Sequence, residues 1–219
     1  MLRCVLGLGL ASLALLTAHP AAADEAADEQ KAIEAIRKAG GTVQVDDADP
    51  APPSRSAVRV DLGGDKVTDA DLAPLEALTH LRRLYLDGAH ISDAGLAHVR
   101  RLTRLQKLYL TDTPITDAGL ADVEDLLRLE VLDLAGTKVT DAGLAHLEDM
   151  PKLQVLDLSH TSVTAARLDH HKKLDGLKEL YLIGLKPKPE DDVDGKKGSE
   201  IEEKILAFLK AQPQVKVVR

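Results

Sequence analysis

Four residues near the end of the chain, Glu190, Asp192, Asp194 and Gly195, stand at positions 1, 3, 5 and 6 of a twelve-residue calcium loop. The match then stops. Position 12 is Ile201, where such a loop needs a bidentate glutamate, and Lys186-Pro187-Lys188-Pro189 cannot form the entering helix. The stretch reads as a solvated acidic loop, with a calcium-dependent module over residues 190–202 as the alternative. His98, His146 and His170 recur at multiples of 24, with Asp122 filling the gap. Ligand distances of about 2 Å to one ion are out of reach for side chains stacked one per unit, so the column reads as helix-surface histidines, as does the His170-His171 pair. Arg82, Arg83, Arg100, Arg101 and Arg104 form a basic cluster; Arg100 and Arg101 also sit where cations favour a helix C-terminus. No Gly-rich phosphate loop, nucleophile elbow or zinc motif occurs. The sequence therefore assigns no catalytic residue, no metal ligand and no cofactor, and points away from an enzyme.

What recurs is not chemistry but spacing. Leu81, Leu105, Leu129, Leu153 and Leu177 are each 24 residues apart, with no insertion. "LYLDGAHISDAGL" begins at Leu84, "LYLTDTPITDAGL" at Leu108 and "LDLAGTKVTDAGL" at Leu132. A degenerate earlier copy starts at Ala57, with Val60 and Leu62 in place of Leu84 and Leu86. In one unit, Leu84 and Leu86 alternate inward while Arg83, Tyr85 and Asp87 face away, which is a short strand. A tight turn through Gly88 follows, and Ile91 returns to the core. Ser92 then caps a helix whose first residue, Asp93, suits the positive helix end; Thr68, Thr116 and Thr140 repeat the cap. Leu96, Val99 and Leu102 supply the inward helix face. Gly95, Gly119 and Gly143 each cost about 1 kcal/mol of helix propensity relative to alanine, so their recurrence implies a close approach of neighbouring units. Thr113, Thr137 and Thr161 are expected to be buried in the turn, bonding backbone groups of the adjacent unit; Ala89 lacks the hydroxyl.

A period in the twenties with L-x-x-L-x-L resembles the leucine-rich repeat family, here in an S/T-D-A-G-L variety similar to ribonuclease-inhibitor-like, F-box-type and exported bacterial proteins. The resemblance covers residues 57–185. It implies an α/β right-handed solenoid, or horseshoe, with a parallel sheet on the concave face and helices on the convex face. It also implies binding of other proteins, and it brings no shared catalytic residues.

The ends differ from the repeats. Residues 1–23 carry one cation, Arg3, an apolar run from Val5 to Leu16 and an Ala21-Ala22-Ala23 exit, the pattern of a secretory signal. Export to periplasm, cell envelope or medium is expected, with no transmembrane segment after cleavage. Residues 24–56 read as a capping helix at 26–39 with Ile33 and Ile36 inward, a strand "TVQVDD" and a Pro-rich connector. Residues 186–199 are the mixed-charge loop. Residues 200–219 read as a closing helix, with Ile201, Ile205, Leu206, Phe208 and Leu209 on its apolar side, and a strand "VKVV".

Bulk composition agrees. Hydrophobic residues are 44% but aromatics only 2%, which suits a narrow core of repeated aliphatic layers. A formal charge of −8 opposes a nucleic-acid partner. The outward strand positions remain as the candidate protein-binding surface: Arg59, Arg83, Tyr85, Asp87, Lys107, Tyr109, Asp133, Asp157 and Tyr181 on the concave face. The strand face projects only about 250 Å², against about 800 Å² per partner in a standard interface. A partner must therefore reach the flanking loops as well. The alternative is a structural cell-envelope protein with no specific partner.

Overall fold

The computed structural model describes residues 20–46, 56–164, 176–184, 203, 205–210 and 212–218. Residues 1–19, the connector at 47–55, His170, His171 and the acidic stretch at 190–202 lie outside them.

Among the described residues one sheet of eight strands runs in simple chain order, β1 to β8. The opening helix α1 (Pro20–Lys38) leads into β1 (Thr42–Asp46), which pairs antiparallel with β2 (Ser56–Asp61) across a bulge at Gln44 and Val45. Parallel pairing then continues through β3 (Arg83–Tyr85), β4 (Lys107–Tyr109), β5 (Val131–Asp133), β6 (Val155–Asp157), β7 (Glu179–Tyr181) and β8 (Lys216–Val218). From β2 to β7 the register places every residue opposite the one 24 positions on, so the sequence period is also the structural one. α1 starts earlier than position 26 because an alanine-rich stretch with proline at its first position favours helix. Ala32, Ile33 and Ile36 are buried against the first unit.

The leucine columns make one continuous core. Leu81, Leu84, Leu86, Leu105, Leu108, Leu129, Leu132 and Leu153 are fully buried, as are Ile91, Leu96, Val99 and Leu102. Ile205, Phe208 and Val215 close the far end, while Leu206, expected on the apolar side, is exposed. Its place in the helix turns it off the stripe that Ile205 and Phe208 share.

The convex side departs from expectation. Its helices are single turns: α2 (Asp93–Leu96) passes into a 3-10 turn at Ala97–Val99, and α3 (Asp117–Leu120) is as short. The equivalent segments at Ala73–Ala77 and Gly143–Leu147 are entirely 3-10. A 3-10 turn climbs about 2.0 Å per residue against 1.5 Å for an α-helix, so it returns the chain to the next strand with the few residues a 24-residue block leaves.

The turn after each strand fixes another column. Gly64, Gly88, Asp112, Gly136, His160 and Gly184 all have positive φ, between 55° and 107°. Aspartate and histidine are among the non-glycine residues that tolerate this region best. The buried threonines lie just beyond. Each bonds within its own unit, contrary to the expected bond to a neighbour: the hydroxyls of Thr113, Thr137 and Thr161 donate to the carbonyls of Leu110, Leu134 and Leu158 at 2.7 Å. Three residues of separation across a tight turn bring that carbonyl closer than anything in the next unit.

Units are instead tied by the aspartates, which do more than face a helix end. Asp93 Oδ1 accepts the Thr116 N–H at 2.8 Å and its Oδ2 accepts the Thr116 hydroxyl at 2.6 Å. Asp69 holds Ser92, Asp117 holds Thr140 and Asp141 holds Thr164 in the same way. Three of the held hydroxyls in turn cap their own helix starts, Ser92 accepting from the Ala94 N–H, Thr116 from Ala118 and Thr140 from Ala142. The glycine of each motif leaves room: a Cβ at Gly95, Gly119 or Gly143 would overlap the carboxylate of Asp69, Asp93 or Asp117. Threonine, aspartate and glycine of the motif are therefore one joint, repeated along the stack.

Candidate functional site

Because the strands are parallel and in register, outward residues fall into rows across the sheet. The first row reads Arg59, Arg83, Lys107, Val131, Val155, Glu179 and Lys216. The second reads Asp61, Tyr85, Tyr109, Asp133, Asp157, Tyr181 and Val218. Lys216 and Val218 extend the face by one strand that the sequence did not offer as part of it.

At the β2–β4 end the side chains are organised into a stack. The rings of Tyr85 and Tyr109 lie 4.6 Å apart at an interplanar angle of 4°. The Arg59 guanidinium carbon sits 4.4 Å from the Tyr85 ring centre. The arrangement is cation on ring on ring, with both tyrosines half-buried. Neighbouring strands lie about 4.8 Å apart, which sets the ring spacing. Burial, then Tyr85, Asp133 and Asp87, push the Tyr109 phenol above its ordinary value.

The aspartates of the second row have local work. Asp133 Oδ1 accepts the Ala135 N–H at 2.9 Å and Asp157 Oδ1 accepts the Ser159 N–H at 2.8 Å, turns of the kind aspartate builds with its own backbone. Asp87, in the turn after β3, accepts the Thr111 N–H at 3.1 Å. Tyr181 stands three strands from Tyr109, about 14 Å away at sheet spacing; its hydroxyl donates to Glu179 Oε2 at 2.7 Å. The structure thus joins Arg59, Tyr85 and Tyr109, sets Arg83 and Lys107 beside them, and leaves Tyr181 apart.

Burial raises the Asp133 carboxyl above its ordinary range, and Asp157 and Asp87 push the same way; the Ala135 amide and Thr111 hydroxyl oppose them. A folded value above the unfolded one means that the folded chain binds more protons between the two, so this group lowers stability as pH rises through that window. Asn at 133 keeps an acceptor for Ala135 and removes the charge. Asp133→Asn should therefore raise the melting temperature at pH 7, with the gain vanishing below about pH 4, where the unfolded carboxyl is protonated too. Thermal melts across that range check this; an unchanged or lower melting temperature at pH 7 contradicts it.

Several other chemistry-bearing residues are paired. His98 Nδ1 lies 2.6 Å from Glu76 Oε1 and His146 Nδ1 lies 2.7 Å from Glu124 Oε2, each linking one unit to the unit before it. In the basic cluster, Arg100 meets Asp125 at 3.7 Å and Arg101 meets Glu76 at 4.0 Å. Arg82 meets Asp46 at 3.8 Å, on the wall of a cleft of about 200 Å³ that Gln44, Arg59 and Arg83 also line. Among the described residues no group of three or more histidine, cysteine, aspartate or glutamate side chains is placed to hold a metal ion, and no helix is long and apolar enough to cross a membrane.

A family model described as a leucine-rich repeat matches residues 77–97 and 129–147. A search of curated proteins gave no match. Among solved structures, an internalin from Listeria monocytogenes is similar at 18% identity and a TM-score of 0.52, over 87% of this chain and 54% of that one. A second internalin from the same species has 19% identity and a TM-score of 0.47, over 74% of this chain and 70% of that one. The leucine-rich repeat ectodomain of a receptor kinase from Arabidopsis thaliana has 14% identity and a TM-score of 0.45, over 72% and 92%. The chain spans about half the length of the first internalin. At such identity the likeness is one of fold.

Proposed function

We propose that this leucine-rich repeat solenoid, of the S/T-D-A-G-L variety, is an exported, non-enzymatic protein-interaction module that takes its partner on the concave face. The observation that carries the reading is the Arg59–Tyr85–Tyr109 stack, an ordered aromatic platform on the solvent side of the sheet. Tyrosine and arginine are the residues on which protein interfaces concentrate their binding energy. A stacked pair surrenders little side-chain freedom on association, which lowers the cost of binding. The remaining candidates, Arg83, Asp87, Lys107, Asp133, Asp157 and Tyr181, frame the platform along the sheet, and a partner engages them together with the flanking turns. The leader-like residues 1–23 support export.

The test is affinity capture with the chain as bait, wild type against a variant with Arg83, Tyr85 and Tyr109 all changed to alanine. All three are at least partly exposed, so the variant should fold. Loss of about tenfold or more in a captured protein, equivalent to roughly 1.4 kcal/mol, is expected. Equal capture by both would remove the concave site.

A further inference from the structure

Resting on the concave-face reading, we infer that the face is built for a short acidic peptide segment of a partner protein, its carboxylates over Arg59, Arg83 and Lys107 and its apolar residues following onto Val131 and Val155. Arg59, Arg83 and Lys107 are direct neighbours on successive parallel strands. Like charges placed opposite one another across strands are unfavourable, at a spacing of about 4.8 Å. No carboxylate of the described residues lies within ion-pair distance of any of the three. Some other cations of the described residues have a carboxylate within reach, Lys31 with Asp28, Arg82 with Asp46, Arg100 with Asp125, Arg101 with Glu76 and Lys216 with Glu179, while others such as Arg37, Lys66, Arg104 and Arg128 do not; what sets the three apart is that they stand side by side. Acidic residues outnumber basic ones, 36 to 28, so carboxylates are not scarce. Three adjacent cations in one row invite the carboxylates of an anionic segment, while Asp61, Asp133 and Asp157 in the neighbouring row confine those carboxylates to the cation row.

Geometry narrows the partner to a peptide. Arg59 is held over the Tyr85 ring, which leaves the edge of its guanidinium free to bind a carboxylate through two N–H groups. The row then changes character along its length, to Val131 and Val155, and its far acid, Glu179, is neutralised by Lys216 at 3.7 Å. Charge at one end and apolar surface in the middle fix the direction in which a segment lies. A free phosphate would use only the cations and gain nothing from the valines. A globular domain would need more area than the strand face offers.

The experiment is fluorescence anisotropy with the whole chain and labelled peptides. One peptide carries glutamates in its first half and valines in its second; a second has lysines for the glutamates; a third has glutamates and valines shuffled. Tripolyphosphate serves as competitor. The first peptide is expected to bind with a dissociation constant of about 10 μM, the lysine peptide not at all, and the shuffled peptide about fivefold more weakly. Arg83→Glu with Lys107→Glu should weaken the first by about tenfold or more, whereas Arg128→Glu, outside the face, should leave it unchanged. Arg83→Gln with Lys107→Gln serves if the reversed charges disturb folding. Equal binding of glutamate and lysine peptides, indifference to the double substitution, or tripolyphosphate binding as tightly as the peptide would each overturn the inference. If capture depends on Arg83, Tyr85 and Tyr109 while the acidic peptide fails, only the partner chemistry falls. If the peptide binds and capture is indifferent to those residues, the protein-interaction reading falls instead.

Discussion

Gly119→Ala is expected to lower the unfolding free energy by about 3 kcal/mol, although helix propensity alone would credit alanine with about 1 kcal/mol in the opposite direction. The reason lies in the previous unit. A Cβ at position 119 would occupy space taken by the Asp93 carboxylate and would press on Ile115. That carboxylate accepts both the N–H and the hydroxyl of Thr116, at 2.8 and 2.6 Å. Hydrogen bonds to a charged group are worth about 1.5–3 kcal/mol each, and pushing the carboxylate out forfeits both. Urea unfolding of the full chain checks this. A midpoint at or above wild type would mean that propensity wins and that the units do not touch there.

Removing the carboxylate itself has the second largest effect. Asp117→Ala should destabilise by about 2–3 kcal/mol, since the Thr140 N–H and hydroxyl lose their acceptors at 2.7 and 2.6 Å. Were Asp117 only a partner for the helix dipole, as its place in the motif suggests from sequence, the loss would be about 0.3–1 kcal/mol. The magnitude therefore separates the two roles. The two kinds of substitution should also interact. Gly143 is kept bare by the Asp117 carboxylate, so Gly143→Ala should cost about 3 kcal/mol in the wild-type chain and close to nothing once Asp117 is alanine. A double-mutant cycle with additive losses would show that the joint is not shared.

Why the aspartate role was hidden in the sequence is a matter of range. Its partner lies 23 residues ahead, in the next copy of the same motif. A single unit shows only the local relations, hydroxyl cap followed by acid, and these describe an isolated helix start well enough. The glycine column did imply a close approach, and its position was right, but the group that approaches is identified only once units are stacked. The threonine column failed in the opposite sense: a neighbour was expected, and the carbonyl three residues back was nearer. Regular α-helices were overestimated because the inward spacing of Leu96, Val99 and Leu102 suits a 3-10 continuation as well as an α-helix. The leucine columns, by contrast, were fully legible, since burial of Leu84 and Leu108 follows from alternation alone.

The candidate site was legible as a set of positions and not as an arrangement. Outward residues follow from period two along each strand and period 24 along the chain. That Tyr85 and Tyr109 stack at 4.6 Å, that Arg59 covers the first ring, and that Arg83 and Lys107 stand without carboxylates among the described residues all depend on parallel, in-register pairing. The antiparallel approach of β1, which brings Asp46 to Arg82 and forms the cleft, has no signature in the letters "TVQVDD".

Amide hydrogen exchange of the full chain, alone and with its captured partner, tests the account where it is most exposed. The account predicts partner-induced protection along residues 83–88, 107–112 and 131–136, the strands and turns of the concave face, and none along 93–102 or 117–126. Protection confined to those convex segments, with the strands unchanged, would contradict it.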